Sequence, residues 1–110
     1  MKNEIKVQKE ILNYLKKMGV FCWRVNNIGI PDPRCKGGWR KQNGYNMLGM
    51  SDIIGIYNGK FLAIEVKAPG RIKNVSENQT IFLENVKKYG GISIIVDSCE
   101  KVVEELKKYD

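Results

Sequence analysis

"GMSDIIGIYNGKFLAIEVKAPG", residues 49–70, is the stretch that decides the fold. Its Asn58–Gly59 pair is the strongest short-range hairpin signal, because a type I′ turn needs positive φ at both central residues. With a two-residue turn, residue 57 pairs with 60, 56 with 61, 55 with 62, 54 with 63, 53 with 64, and Asp52 then stands opposite Glu65. Directly opposed side chains lie about 4.5–5.5 Å apart at Cβ, where like charges repel. Lys67, two residues beyond Glu65, projects from the same face. Apart from Lys60 at the turn, these three are the only charges in a stretch that otherwise reads as core. A slip of one residue would move the acids to opposite faces, so the juxtaposition depends on the turn.

Outward from the hairpin, the chain alternates helical and extended patterns. Ile5, Ile11, Leu12, Leu15 and Met18 recur at helical spacing between an Asn3 N-cap and a Gly19 stop. Residues 20–26, "VFCWRVN", are β-branched and aromatic and predict a strand. Residues 27–48, rich in proline, glycine, basic and aromatic residues, read as a long loop, a length that usually signals function or mobility. "SENQ", residues 76–79, has the capping-box pattern and opens a second helix that ends at Gly90 and Gly91. "ISIIV", residues 92–96, suits a strand covered on both faces, and an amphipathic helix follows from Ser98. The order αβββαβα predicts an α/β fold, a mixed four-stranded sheet flanked by helices, as one domain over residues 1–110.

Composition narrows the chemistry. Nineteen Lys and Arg against twelve Asp and Glu give +7, which favours a polyanionic partner such as nucleic acid. There is no histidine, so histidine-dependent triads and histidine metal clusters are excluded. Cys22, Cys35 and Cys99 are odd in number and widely spaced, which indicates reduced thiols rather than a disulfide framework or a zinc site. No run is long enough to span a bilayer and no signal segment begins the chain, so a soluble cytoplasmic protein is expected.

Two carboxylates in a half-dry site can share a proton, pair with a cation or coordinate a metal ion. A plain ion-pair network around Lys67 is one reading. An all-oxygen site for a hard divalent cation, Mg²⁺ or Mn²⁺, is the other, and one lysine does not balance two acids. At about 100° per residue, Glu4 and Gln8 fall in the middle of the first helix's apolar stripe and Glu10 faces solvent. Glu4 suits the helix dipole and Gln8 a partly covered amide, yet both also fit a position above the acid pair.

"GMSD", followed after a hairpin by "AIEVK", resembles the core of the PD-(D/E)xK nucleases. The wider layout is similar to the virus-type replication-repair nuclease (VRR-NUC) domain: a Glu4-x-x-x-Gln8 helix, "RVN", "GMSD", "EVK", and "SENQTIFL" before Gly-Gly and an apolar strand. The resemblance covers nearly the whole chain and implies a restriction-endonuclease-like fold and a divalent-metal-dependent endonuclease. It implies that Asp52, Glu65 and the Val66 carbonyl bind the metal, and that Lys67 orients or activates the attacking water. Glu4, Gln8 and Gln79 match the family's helix-borne neighbours of that site. Ser51 replaces the proline of the motif's name. "IPDP", residues 31–34, is a decoy, since no hairpin places Asp32 against Glu65 and its two prolines suit a turn.

Arg24, Asn26, Arg34, Lys36, Trp39, Arg40 and Lys41, with Ser51, are the candidate nucleic-acid contacts, the basic and aromatic ones suited to phosphates and unpaired bases. A solvated loop anchored by its aromatics explains the same pattern. The resemblance further suggests branched DNA, a junction-resolving or flap-type activity, a homodimer on a symmetric substrate, and phage or mobile-element origin inside a bacterial cell. A non-catalytic DNA-binding module and a restriction-type, sequence-specific nuclease are the alternatives.

Overall fold

The computed structural model describes residues 2–25, 30–31, 33–34, 39–40 and 49–110. Over these it forms α1 (Glu4–Lys17), β1 (Phe21–Arg24), β2 (Ile30–Pro31), β3 (Trp39–Arg40), β4 (Ile53–Tyr57), β5 (Lys60–Val66), α2 (Glu77–Lys88), β6 (Ile92–Val96) and α3 (Cys99–Lys107). The four-stranded sheet has the order β1-β4-β5-β6, with β1 and β4 antiparallel, β4 and β5 antiparallel, and β5 and β6 parallel. A parallel pair requires a crossover, and the segment carrying α2 supplies it. The expected α/β order holds.

The turn forms as its residues require. Asn58 and Gly59 take φ of 50° and 78°, and the ladder runs from Tyr57↔Lys60 to Ile53↔Ile64, the register expected from the two-residue loop. Strand alternation then separates two faces. Ile53, Leu62, Ile64, Val66, Ile92, Ile94 and Val96 pack with Val7, Ile11 and Leu15 of α1 and Val102 and Leu106 of α3. Ile54 and Ala63 on the opposite face pack with Phe82 and Leu83 of α2. Ile11, Leu15, Ile53, Leu62 and Ile64 are wholly buried, each worth about 1.5–3 kcal/mol of burial.

Three local expectations change. The segment read as a loop contains a short antiparallel pair, Ile30↔Arg40 and Pro31↔Trp39; proline is tolerated there because a two-stranded ribbon has only edge strands. In α1 the buried positions are Val7, Gln8, Ile11 and Leu15, whereas Ile5 and Met18 near its two ends are exposed. The sheet covers only the middle of the helix. β6 is buried fully on one face, through Ile92, Ile94 and Val96, and only half-covered at Ser93 and Ile95 on the other.

Caps agree with their chemistry. The Asn3 side chain accepts from Lys6 N–H, the Ser98 hydroxyl from Lys101 N–H, and Ser76 and Gln79 form a complete capping box. Asn58 Nδ2 donates to Tyr109 O at 2.7 Å, and the Tyr57 hydroxyl bonds to the Asp110 carboxylate, so the hairpin tip rests on the residues after α3.

Candidate active site

The start of β4 and the ends of β1, β5 and β6 meet at one edge of the sheet. Val25 N–H donates to Asp52 O at 2.8 Å, and Lys67 N–H to Val96 O at 2.9 Å, which ties β1 to the start of β4 and β5 to β6 there. Asp52 lies one residue before β4 and is half-buried. Its Oδ2 accepts from Val66 N–H at 2.8 Å. The Asp52 carboxylate is thus fixed against the backbone beside Glu65.

Glu65 is 2% exposed and points to the α2 face. Gln79 Nε2 donates to its Oε1 at 3.0 Å, while Oε2 is buried without a hydrogen-bond partner. Burial, then the charge of Asp52, push its pKa up to about 8, against the opposing pull of Lys67. Lys67 is also buried, and its Nζ donates to Gln79 Oε1 at 3.1 Å. Among the described residues it forms no salt bridge with either acid. This weighs against the plain ion-pair reading: the lysine is held by a neutral amide, and its charge offsets only part of the push that burial and Asp52 exert on Glu65.

Gln79 organises the cluster. Its Oε1 accepts from both Ser76 N–H, at 3.0 Å, and Lys67 Nζ, which sets the amide so that Nε2 faces Glu65. The capping box that starts α2 therefore also orients two site residues. Gly49, with φ of 71°, lets the chain leading to Asp52 pass against the first turn of α2: a Cβ there would lie 2.3 Å from the Asn78 backbone and 2.7 Å from Gln79 N. The role of Gly49 is not legible in the sequence, because a close approach between distant segments leaves no local pattern.

The helix-borne candidates separate. Gln8 is 7% exposed, as its place on the stripe predicts, with Oε1 unpaired. Glu4, expected in the same stripe, is exposed; it sits in the first turn, beyond the covered part of α1. Its charge still reaches Glu65, raising that group's pKa. Ser51 is wholly buried and its Oγ has no partner, so it lines the interior beside Asp52 rather than the surface a nucleic acid would meet.

Among the described residues, the buried side-chain atoms without a partner are Gln8 Oε1, Ser51 Oγ and Glu65 Oε2. An unsatisfied buried polar atom costs about 1–3 kcal/mol, and all three fall on residues singled out from the sequence. No group of three or more His, Cys, Asp or Glu side chains placed to hold a metal occurs among the described residues. The paired carboxylates of Asp52 and Glu65 offer oxygen donors alone, which suits a hard divalent cation that keeps several waters.

Of the surface candidates, Arg24 is exposed at the end of β1, at the same sheet edge as Asp52. Arg34 is exposed in a turn. Trp39 and Arg40 are described only as backbone of β3, and Asn26, Lys36, Lys41, Asp32 and Cys35 lie outside the described residues. Cys22 and Cys99 are free thiols.

This sheet topology, with a carboxylate pair and a buried lysine at one edge, defines a restriction-endonuclease-like nuclease domain, whose partner is DNA. The chain belongs to the VRR-NUC domain family, whose model matches residues 2–99. No curated protein matches it significantly. Nucleases of the PD-(D/E)xK class generally use divalent metals.

Proposed function

We propose that the protein is a Mg²⁺- or Mn²⁺-dependent, structure-selective DNA endonuclease that hydrolyses phosphodiester bonds in branched DNA. The observation that carries this reading is the buried Glu65: one carboxylate oxygen is fixed by Gln79, the other is unpaired, and a second carboxylate stands beside it. Such a group is costly to a fold and useful to a cation.

Asp52, Glu65 and the Val66 carbonyl would hold the ion. A divalent cation bound there would lower the pKa of water and neutralise phosphoryl oxygens. The chain's own residues do the rest. Gln79 uses one of the three donors of Lys67, leaving two for an attacking water and a phosphate oxygen. Its amide keeps the Lys67 ammonium and the Glu65 carboxylate on either side of a neutral spacer, so that they do not collapse into a direct pair. Arg24, exposed at the same edge, would contact the DNA backbone. One such site cuts one strand, so a homodimer acting on a symmetric four-way junction accounts best for a compact chain with one carboxylate pair.

Four-way junction, flap, single-stranded and plain duplex DNA, each with Mg²⁺, Mn²⁺ or EDTA, test the reading. Branched substrates are expected to be cut with either metal and spared in EDTA. Cutting that survives in EDTA, or in Asp52→Ala and Glu65→Ala, would overturn the mechanism. Salt-sensitive binding without cleavage would favour the binding module instead, and equal cutting of all duplexes would remove the structure selectivity.

A further inference from the structure

Past Lys67 the chain builds a second group of donors that the acid pair does not use. Arg71, Lys73 and Asn74 are exposed and, with Gly70, Ile72 and Asp97, line an open hollow of about 780 Å³. The segment is held in place. Gly70 N–H donates to Asp97 Oδ2 at 2.9 Å, Arg71 N–H to Ala68 O at 2.9 Å, and Asn74 N–H to Arg71 O at 2.9 Å. Asp97 follows β6, whose Val96 pairs with Val66, so the hollow opens at the same sheet edge as Glu65 and Lys67.

Its charge is one-sided. Asp97, the acid at the hollow, has Oδ1 paired with Lys101 at 2.8 Å and Oδ2 taken by Gly70. Among the described residues, Arg71 and Lys73 form no salt bridge. Two cations with no acid to answer them, on a loop pinned by its backbone, match the spaced anions of a phosphodiester chain.

We propose that Arg71 and Lys73, with Asn74 beside them, form a backbone-binding subsite for the strand being cut, gripping phosphates near the scissile one. The six residue steps from Lys67 to Lys73 span at most roughly 21 Å when extended, and one strand advances about 3.4 Å per nucleotide. The contact therefore falls within about six nucleotides of the cut. The subsite's place relative to the cut rests on the nuclease reading, whereas its binding of DNA does not.

The test compares the wild type with Arg71→Ala/Lys73→Ala and with Lys16→Ala/Lys17→Ala, an equal charge change in the last turn of α1, about 20 Å along the helix from Glu4. Affinity for one four-way junction is measured in EDTA over a salt series, and cleavage kinetics are measured in Mg²⁺ or Mn²⁺. The loop variant is expected to bind at least about tenfold more weakly with a log–log salt slope shallower by about two. Its KM should rise while kcat stays within about threefold, and the control should stay within about twofold of wild type. Unchanged affinity and slope in the loop variant overturn the subsite, as do equal losses in both variants, or a fall in kcat at constant KM. A wild type that binds the junction and never cuts it sinks the nuclease reading alone, and the binding comparison still decides the subsite.

Discussion

Gln79 Nε2 donates to Glu65 Oε1 at 3.0 Å, and the same amide receives Lys67 at 3.1 Å, so one side chain sets the position of a carboxylate and of an ammonium. Gln79→Ala is expected to lower cleavage about 10–100-fold, the usual effect of losing a group that orients a metal ligand, and to reduce stability by up to about 1 kcal/mol through loss of the capping box. Gln79→Glu keeps the acceptor for Ser76 and Lys67 and deletes the donor to Glu65. It should lose as much activity as alanine; a Gln79→Glu protein that cuts normally would show that the bond to Glu65 is unnecessary.

Glu65 makes the metal-free protein sensitive to pH. Its carboxyl titrates near 4.5 when unperturbed and at about 8 in the fold. Between those values the folded chain holds a proton that the unfolded chain has released, so stability falls as pH rises, and the whole penalty is present above about pH 8. Thermal melts in EDTA should show Tm decreasing across that window, and Glu65→Gln should flatten the trend. Mg²⁺ or Mn²⁺ binds the ionised form and should raise Tm more at pH 8 than at pH 5. A Tm independent of pH in the metal-free wild type would contradict the shift.

Gly49 has no room for a side chain. Gly49→Ala places a Cβ 2.3 Å from the Asn78 backbone at a φ of 71°, so the first turn of α2 must move and carry Gln79 with it. About 1–3 kcal/mol of destabilisation is expected, with a loss of cleavage measured well below Tm. If activity there is unaltered, the contact between the Asp52 segment and α2 does not position the site.

Gly59 supplies the converse. Its φ of 78° makes Gly59→Ala cost about 1–2 kcal/mol, but the turn lies at the opposite end of the ladder from Asp52 and Glu65. Tm should drop while kcat at a temperature well below the melt remains as in wild type. A parallel loss of kcat would mean that the strand register, rather than only the turn, had been altered.

The carboxylate pair was legible because two local rules compound: a turn that admits one loop length and a side-chain period of two. Register carried Asp52 onto Glu65 across the ladder without knowledge of anything else in the chain. Helical periodicity was less informative, since it gives a direction around the axis and not the length of helix that a sheet covers. Gln8 is buried and Glu4 four residues earlier is not. Val7 was missed for the same reason, as a β-branched residue beside the expected stripe that the sheet in fact reaches. The pair formed by β2 and β3 was hidden by prolines and glycines, which suppress strand signals even where an edge strand accepts them. The Gly49 contact and the Asp97 clasp on the 68–75 loop join distant parts of the chain, and neither has any sequence period to announce it.

The parallel pairing of β5 with β6 has a kinetic consequence. The hairpin of β4 and β5 closes locally, which takes microseconds for an isolated hairpin, and it brings Asp52 and Glu65 together by itself. Gln79 arrives only when the long crossover between β5 and β6 has folded, a slower step because the loop must close before its contacts form. A partly folded chain can therefore hold both acids and still lack the amide that aligns them with Lys67. Recovery of cleavage during refolding should lag behind formation of the hairpin, which delays cutting until the crossover is in place.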